Sequence, residues 1–205
     1  MRFIAIEGPD GAGKSTLAAA LADRFRTRGH AVCQVRDPGD TDLGQSLRQW
    51  ILSPPDDYAL APIAELHLFL AARAQLAHEV ILPALQAGAI VISDRFWLST
   101  LAYQGSVPDI ANAMDQSFLR RLAASGAGEA VPTHWLILDL PLREAEKRTG
   151  GARDRIEKRG EAYYLEVRKK FREEANRLPR GRVLFLDGSR PPPEVAQTAW
   201  EFASD

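Results

Sequence analysis

Five short stretches of the chain are apolar at nearly every position: Phe3–Ile6, Ala31–Val35, Ile90–Ser93, Trp135–Leu138 and Val183–Leu186. A strand with one wet face alternates. Continuous runs of this length predict strands covered on both faces, as in a parallel sheet. Between them, apolar residues recur at helical spacing. Leu17, Leu21 and Phe25 stand at i, i+4 and i+8, and Ile63–Leu85 carries Leu66, Leu70, Leu76, Val80 and Ile81. Pro83 is expected to kink or end that helix, with Gly88 just beyond it. Asn112–Ala124, Glu161–Leu178 and Pro191–Phe202 predict further helices, and the Gly/Ala-rich Ser125–Gly128 predicts a loop. Strands alternating with helices predict an α/β doubly wound fold. There is no internal repeat and no low-complexity tract.

Length and composition add bounds. A chain of 205 residues suggests one domain spanning 1–205 and can bury a core without disulfides or metals. The formal charge of −1 supplies no global field for a long polyanion, so anion binding must be local and a nucleic-acid partner is not expected. The one cysteine, Cys33, sits inside an apolar run and is expected to be a small buried hydrophobe. The chain starts directly in a strand-like run, without a signal peptide, and no apolar stretch is read as reaching membrane-spanning length. The expectation is a cytoplasmic protein without a membrane partner.

The first strand stops at Glu7, and "GPDGAGKST" follows. Gly8-x-x-x-x-Gly13-Lys14-Ser15 matches the phosphate-binding P-loop, with a strand before it and a helix after it. Glycines let successive backbone N–H groups turn inward on phosphate oxygens, and the helix adds the positive end of its dipole. The expected triphosphate contacts are Gly8, Asp10, Gly11, Ala12, Gly13, Lys14, Ser15 and Thr16. Lys14 reaches the β- and γ-phosphates, and the Ser15 hydroxyl can ligate Mg²⁺. The ligand implied is a nucleoside triphosphate, ATP, with Mg²⁺. The Asn-Lys-x-Asp motif of a GTPase does not occur.

A second ligand is harder to read. The third strand ends at Asp94-Arg95, and ligands of open parallel sheets sit at carboxyl strand ends. Asp94 can hold Mg²⁺ and Arg95 can fork onto a phosphate; a helix cap beside a solvated arginine is the bland alternative. Asp37, before Pro38-Gly39, is either a turn residue or a second carboxylate near the first. Phe69 and Arg73 lie four apart on one helix face, which suits a stacked base with a guanidinium on its carbonyl. Pattern alone favours a core phenylalanine with a surface arginine. The stretch "RTGGARDRIEKRG" carries Arg148, Arg153, Arg155, Lys158 and Arg159 beside a Gly150-Gly151 hinge. It is a solvated face or a lid, at about 149–160, that brings arginines to a transferring phosphate.

Taken in order, "EGPDGAGKST", "DPGDTDLGQSLR", "LFLAARAQ", "DRFWLSTLAYQG", "LDLP" and "RDRIE" resemble the thymidylate kinase family over nearly the whole chain. The resemblance implies a P-loop kinase fold with a five-stranded parallel sheet, a homodimer, and ATP-dependent phosphorylation of dTMP to dTDP. It implies that Phe69 stacks on thymine and Arg73 bonds its carbonyl. Ser99 and Gln104 complete the base and sugar contacts, and Tyr103 crowds the 2′ position. Asp10 lies near the 3′-hydroxyl, Arg95 holds the monophosphate, and Asp94 helps position Mg²⁺. Arg153 and Arg155 are the lid arginines. The P-loop lacks arginine while the lid is rich in it, which resembles the bacterial arrangement. Three positions depart from the pattern: Asp37 for the usual Glu, Asp40 for a glycine, and Phe96 where Tyr is common. Two alternatives remain. One is a deoxynucleoside kinase acting on thymidine, with Asp37 as general base. The other is a nucleotide-binding protein with reduced or lost turnover.

Overall fold

A computed structural model describes residues 1–149, 155–156 and 159–204. Its centre is an all-parallel sheet of β1 (Phe3–Glu7), β2 (Val32–Arg36), β3 (Ile90–Asp94), β4 (His134–Asp139) and β5 (Val183–Asp187), in the order β2-β3-β1-β4-β5. Ile4 sits opposite Ile92 on one side and His134 on the other. The three inner strands are buried on both faces, as the continuous apolar runs predicted. The two edge strands are not: only Val35 of β2 and Leu186 of β5 are buried, and Cys33 is half-buried. Edge strands have one neighbour fewer, so their apolar runs meet solvent.

Side chains divide by parity, since successive residues of a strand face opposite ways. Phe3, Ala5, Val91, Trp135 and Ile137 enter one core with α3 (Pro62–Leu76), α5 (Trp97–Tyr103), α7 (Gln116–Ser125) and α9 (Glu161–Ala175). Ile4, Ile6, Ile92, Leu136 and Leu138 enter the other, with α1 (Lys14–Thr27) and α10 (Pro192–Ser204). The remaining helices are α2 (Asp42–Leu52), α4 (Leu82–Gln86), α6 (Pro108–Ala113) and α8 (Leu142–Thr149).

Three expectations are corrected. Of the two outcomes expected at Pro83, a kink or an end, the long helix does not end there. A π-helical turn, Ala77–Ile81, precedes α4, where the Leu82 N–H reaches Ala77 O, and Pro83 lies in the first turn of the segment that follows. A proline's missing donor is tolerated in a first turn. By length and composition, Pro62–Gln86 is also apolar enough to cross a membrane. In the fold it instead buries Leu66, Leu70, Leu76 and Ile81 in a core and carries the buried charges Glu65 and Arg73. Third, Asn112–Ala124 is two helices. Asp115 accepts from the N–H groups of Ser117 (2.8 Å) and Phe118 (3.0 Å), starting α7 afresh.

The pattern reading also missed α2. Its cap was legible: Thr41 Oγ1 accepts the Gly44 N–H at 2.9 Å. Removing that buried acceptor, Thr41→Ala, should lower the unfolding free energy by about 1 kcal/mol. Urea denaturation will measure it, and an unchanged midpoint would mean the cap does not hold α2.

Candidate functional site

The site lies along the carboxyl edge of the sheet, where β1, β3, β4 and β5 all end on a carboxylate: Glu7, Asp94, Asp139 and Asp187. The loop after β1 makes the first wall. Gly8 has φ 138° and packs so closely on β4 that an added Cβ would lie 2.2 Å from Leu138 O. Gly13, with φ 93°, turns the chain into α1 without any side-chain cap, which leaves the helix's first N–H groups facing the site. A cavity of about 730 Å³ opens against this loop, lined by residues 10–16 together with Asp94, Arg95 and Arg148. Gly188, Arg190 and Pro192, between β5 and α10, close its far end.

The charges in this cavity are poised for an anion. Lys14 Nζ, 7% exposed, donates to Pro9 O at 2.7 Å. Burial, reinforced by Arg95, pushes it down to about 8 despite Asp10, Asp94 and Glu7. Ser15 Oγ donates to Asp94 Oδ2 at 2.5 Å, so the two expected metal ligands already stand together. Among the described residues there is no cluster of three or more His, Cys, Asp or Glu that would hold a metal alone.

At the inner edge of the cavity, Arg95 ties the loop to β3. Its backbone is left-handed (φ 73°). Hydrogen bonds hold that conformation, from Arg95 N to Ile6 O at 2.9 Å and from Ser93 Oγ to Arg95 O at 2.6 Å. Its guanidinium donates to Gly8 O (2.9 Å), Ser99 Oγ (3.0 Å), Tyr103 OH (3.2 Å) and the Asp10 carboxylate. Burial alone would raise the Asp10 carboxyl, but Arg95, Lys14 and Tyr103 outweigh it and hold it well below the usual range.

A second cavity, of about 70 Å³, lies across Arg95 against α3. Asp37, Phe69, Arg73, Ser99, Tyr103 and Gln104 line it, so all of these sequence-predicted residues converge. Asp10, Arg48 and Arg95 line both cavities. The volume is well below the roughly 300 Å³ at which small-molecule pockets begin, so its walls must part to admit a ligand. A third cavity, of about 290 Å³ between α8 and α9, shares Asp10 and Tyr103.

Arg73 is neither a surface arginine nor free. It is 1% exposed, with Nε on Asp37 Oδ2 at 2.5 Å and Nη2 on Thr100 Oγ1 at 2.8 Å. Asp37 is therefore more than a turn residue: its carboxylate faces Arg73, while its backbone N–H donates to Asp94 O at 3.1 Å. Burial pushes its carboxyl up against the pull of Arg73. Asp37 Oδ1 and Arg73 Nη1 are buried without any hydrogen-bond partner among the described residues. Such orphans are costly, and at the wall of a cavity they point to a ligand that completes them. Asp40 takes φ 54°, a left-handed conformation that suits the glycine usual in the family pattern, and accepts the Arg36 N–H at 2.6 Å. Of the lid residues, Gly150, Gly151, Arg153 and Lys158 lie outside the described residues. Arg155 sits on Glu65 of α3, lining none of the three cavities, while Ile156 beside it lines the second and the third.

Sequence reasoning overlooked Glu7, Arg48 and Glu65. Glu7 is wholly buried at the end of β1. It accepts from Phe96 N (3.0 Å), Ser99 N (3.2 Å) and Ser99 Oγ (2.5 Å), so it caps α5 and aims Ser99. The signal was present: a charge ending a buried strand at the ligand edge. Arg48, on α2, donates to Pro38 O at 3.0 Å.

A phosphate-gripping loop after the first strand of a doubly wound parallel sheet, facing a second ligand cavity across one arginine, defines a P-loop nucleotide-binding protein of the phosphotransferase type. The chain belongs to the thymidylate kinase family: a profile described as thymidylate kinase matches residues 6–199. Among its relatives, the protein named thymidylate kinase in Deinococcus radiodurans is 38% identical over 99% of this chain and 96% of its own length. Those of Thermomicrobium roseum (38%; 97% and 92%) and Protochlamydia amoebophila (39%; 99% and 92%) bear the same name.

Two outcomes test this site. Burial lifts the Glu7 carboxyl, against the pull of Ser99 and Arg95, from 4.5 to about 7. A carboxyl raised by folding is held protonated in the folded state, so its contribution is full below about 4.5 and is lost as pH climbs to about 7. Glu7→Gln should flatten that fall, seen by urea unfolding at pH 5 and pH 8; an unaltered slope would place the titration elsewhere. Gly8→Ala, forcing a methyl onto Leu138 O, should abolish triphosphate binding in calorimetry, and wild-type affinity would contradict the packing described.

Proposed function

We propose that the protein transfers the γ-phosphoryl group of ATP to the phosphate of dTMP, giving dTDP and ADP. The observation that carries this, in a chain of this family, is the pair of cavities sharing Asp10, Arg48 and Arg95. The P-loop cavity takes the ATP phosphates and the α3 cavity takes the thymidine moiety, so the two phosphates meet at the shared residues.

The acceptor oxygen is already anionic near neutral pH, so the reaction needs no general base. Catalysis is positioning plus charge neutralisation. Backbone N–H groups of residues 11–15 and Lys14 hold the β- and γ-phosphates. A triphosphate beside Lys14 also restores the charge that burial weakens. Arg95 and Arg48 hold the acceptor phosphate in line. Arg148 adds positive charge from the end of α8. Arg153 remains the proposed lid arginine, whereas Arg155, expected beside it in that role, is engaged by Glu65 and Ile51 O instead. Ser15 and Asp94 suit Mg²⁺, which prefers a few hard oxygens and keeps phosphates and waters as its other ligands. Bound there, Mg²⁺ would supply charge neutralisation on the transferring phosphate. On the acceptor side Phe69 stacks on the pyrimidine, Arg73 Nη1 donates to its carbonyl, and Tyr103 lies under the sugar. A homodimer and a cytoplasmic location belong to the same proposal.

A panel of nucleoside monophosphates, with thymidine beside them, incubated with Mg²⁺-ATP should yield diphosphate from dTMP. Product from thymidine but not dTMP would overturn the reading, as would binding of both nucleotides without turnover. Lys14→Met should cut kcat by on the order of 10²–10³. A loss below threefold would remove Lys14 from the transferring phosphate.

A further inference from the structure

Glu65 opens α3 as a buried carboxylate, 1% exposed. Among the described residues, three side chains converge on it. Gln104 Nε2 donates to Oε1 at 3.1 Å. Arg159 Nη2 donates to both oxygens, at 3.1 and 2.9 Å, and Arg155 Nη2 donates to Oε2. The arginines are pinned in turn: Arg155 Nε donates to Ile51 O at 3.0 Å, and Arg159 Nη1 to Tyr163 OH at 3.0 Å. A carboxylate so deeply desolvated persists only where its partners satisfy it, and here two guanidiniums fix both its charge and its direction.

Glu65 stands at i relative to Phe69 (i+4) and Arg73 (i+8), on the α3 face that walls the smaller cavity. Glu65 itself does not line that cavity, whereas Gln104 does. An ionised carboxylate can only accept, so Gln104 must turn its NH₂ toward Glu65, and its carbonyl oxygen, on the opposite branch of the amide, faces away. With the cavity read as the pyrimidine site proposed above, we infer that Glu65 is a positioning residue for base selection. By holding Gln104 Nε2 it keeps Gln104 Oε1 presented to the base, as an acceptor for an imide N–H. Thymine and uracil carry that hydrogen at N3; the N3 of cytosine is an acceptor and would meet the oxygen lone pair to lone pair. Arg73 Nη1, without a partner among the described residues, supplies the donor that the neighbouring ring carbonyl needs and that the amino group of cytosine cannot use.

The test compares kcat/KM for dTMP and dCMP with ATP, alongside equilibrium binding of both nucleotides by calorimetry, in wild type and Glu65→Gln. The neutral amide offers Gln104 either a donor or an acceptor, so Gln104 can turn both ways. The dTMP:dCMP ratio should fall by about tenfold or more, mostly through KM. Gln104→Ala should lose the ratio by itself, and adding Glu65→Gln to it should change the ratio no further. If Glu65 only anchors the fold, both nucleotides suffer alike. A ratio within twofold of wild type in Glu65→Gln, or in Gln104→Ala should Glu65→Gln fail to fold, overturns the inference. So does a Glu65→Gln effect that survives undiminished in the Gln104→Ala background. Should wild type bind dTMP over dCMP without turning either over, the proposed function fails while the binding ratios still decide the role of Glu65. If it binds neither, both fall.

Discussion

The ion pair between Arg95 and Asp10 is the join on which the site depends. It links the loop after β1 to the end of β3 across 85 residues of sequence. Arg95 reaches it from a left-handed backbone that a non-glycine residue adopts at a cost of order 1–3 kcal/mol. The cost is offset locally by the sheet-edge hydrogen bonds of its own N–H and C=O. What the conformation gives is direction. It sends one guanidinium between the two cavities, where it meets Gly8, Asp10, Ser99 and Tyr103 at once. A phosphate arriving on either side finds an arginine already oriented, so little side-chain freedom remains to be lost on binding.

Glu7 has a parallel role one strand away. It ends β1 as Arg95 follows β3, and it reads the same helix, α5, by accepting its first N–H groups and Ser99 Oγ. Ser99 therefore receives Arg95 on one side and donates to Glu7 on the other. This chain of contacts makes the carboxyl edge of the sheet a single electrostatic unit. Lys14 is weakened by Arg95 and supported by Asp10, Asp94 and Glu7. An anion entering the larger cavity alters the balance for all of them.

Local features of the sequence were legible because their cause is local. The P-loop follows from glycine spacing between a strand and a helix. The inner strands follow from unbroken apolar runs, and the stripe of Phe69 and Arg73 follows from helical period. What spacing could not reveal was partners distant in sequence. Arg73 meets Asp37 across 36 residues, and Glu65 meets Arg159 across 94. Nothing in either neighbourhood announces the other. The edge strands were over-read for a related reason: an apolar run shows what a strand can bury, and only the sheet order decides which strand has neighbours on both sides. The resemblance brought Phe69, Arg73 and Gln104 to one site. It said nothing of the carboxylates that hold Arg73 and Gln104 in place.

Those carboxylates make sense as recognition rather than as stability. A buried ion pair seldom stabilises a fold more than apolar residues of the same volume would. Asp37 with Arg73, and Glu65 with its two arginines, both break that economy inside a helix face otherwise rich in leucine. They also leave something undone: Asp37 Oδ1 and Arg73 Nη1 lack partners among the described residues. A fold selected only for stability would bury neither atom. A site that must distinguish one pyrimidine edge from another needs both ends of its donor–acceptor pattern fixed before the base arrives, because the free energy lost by a mismatched base comes from polar groups that cannot turn to accommodate it. On that account, the charges along α3 give up stability in exchange for an acceptor pocket whose hydrogen-bonding pattern is already set.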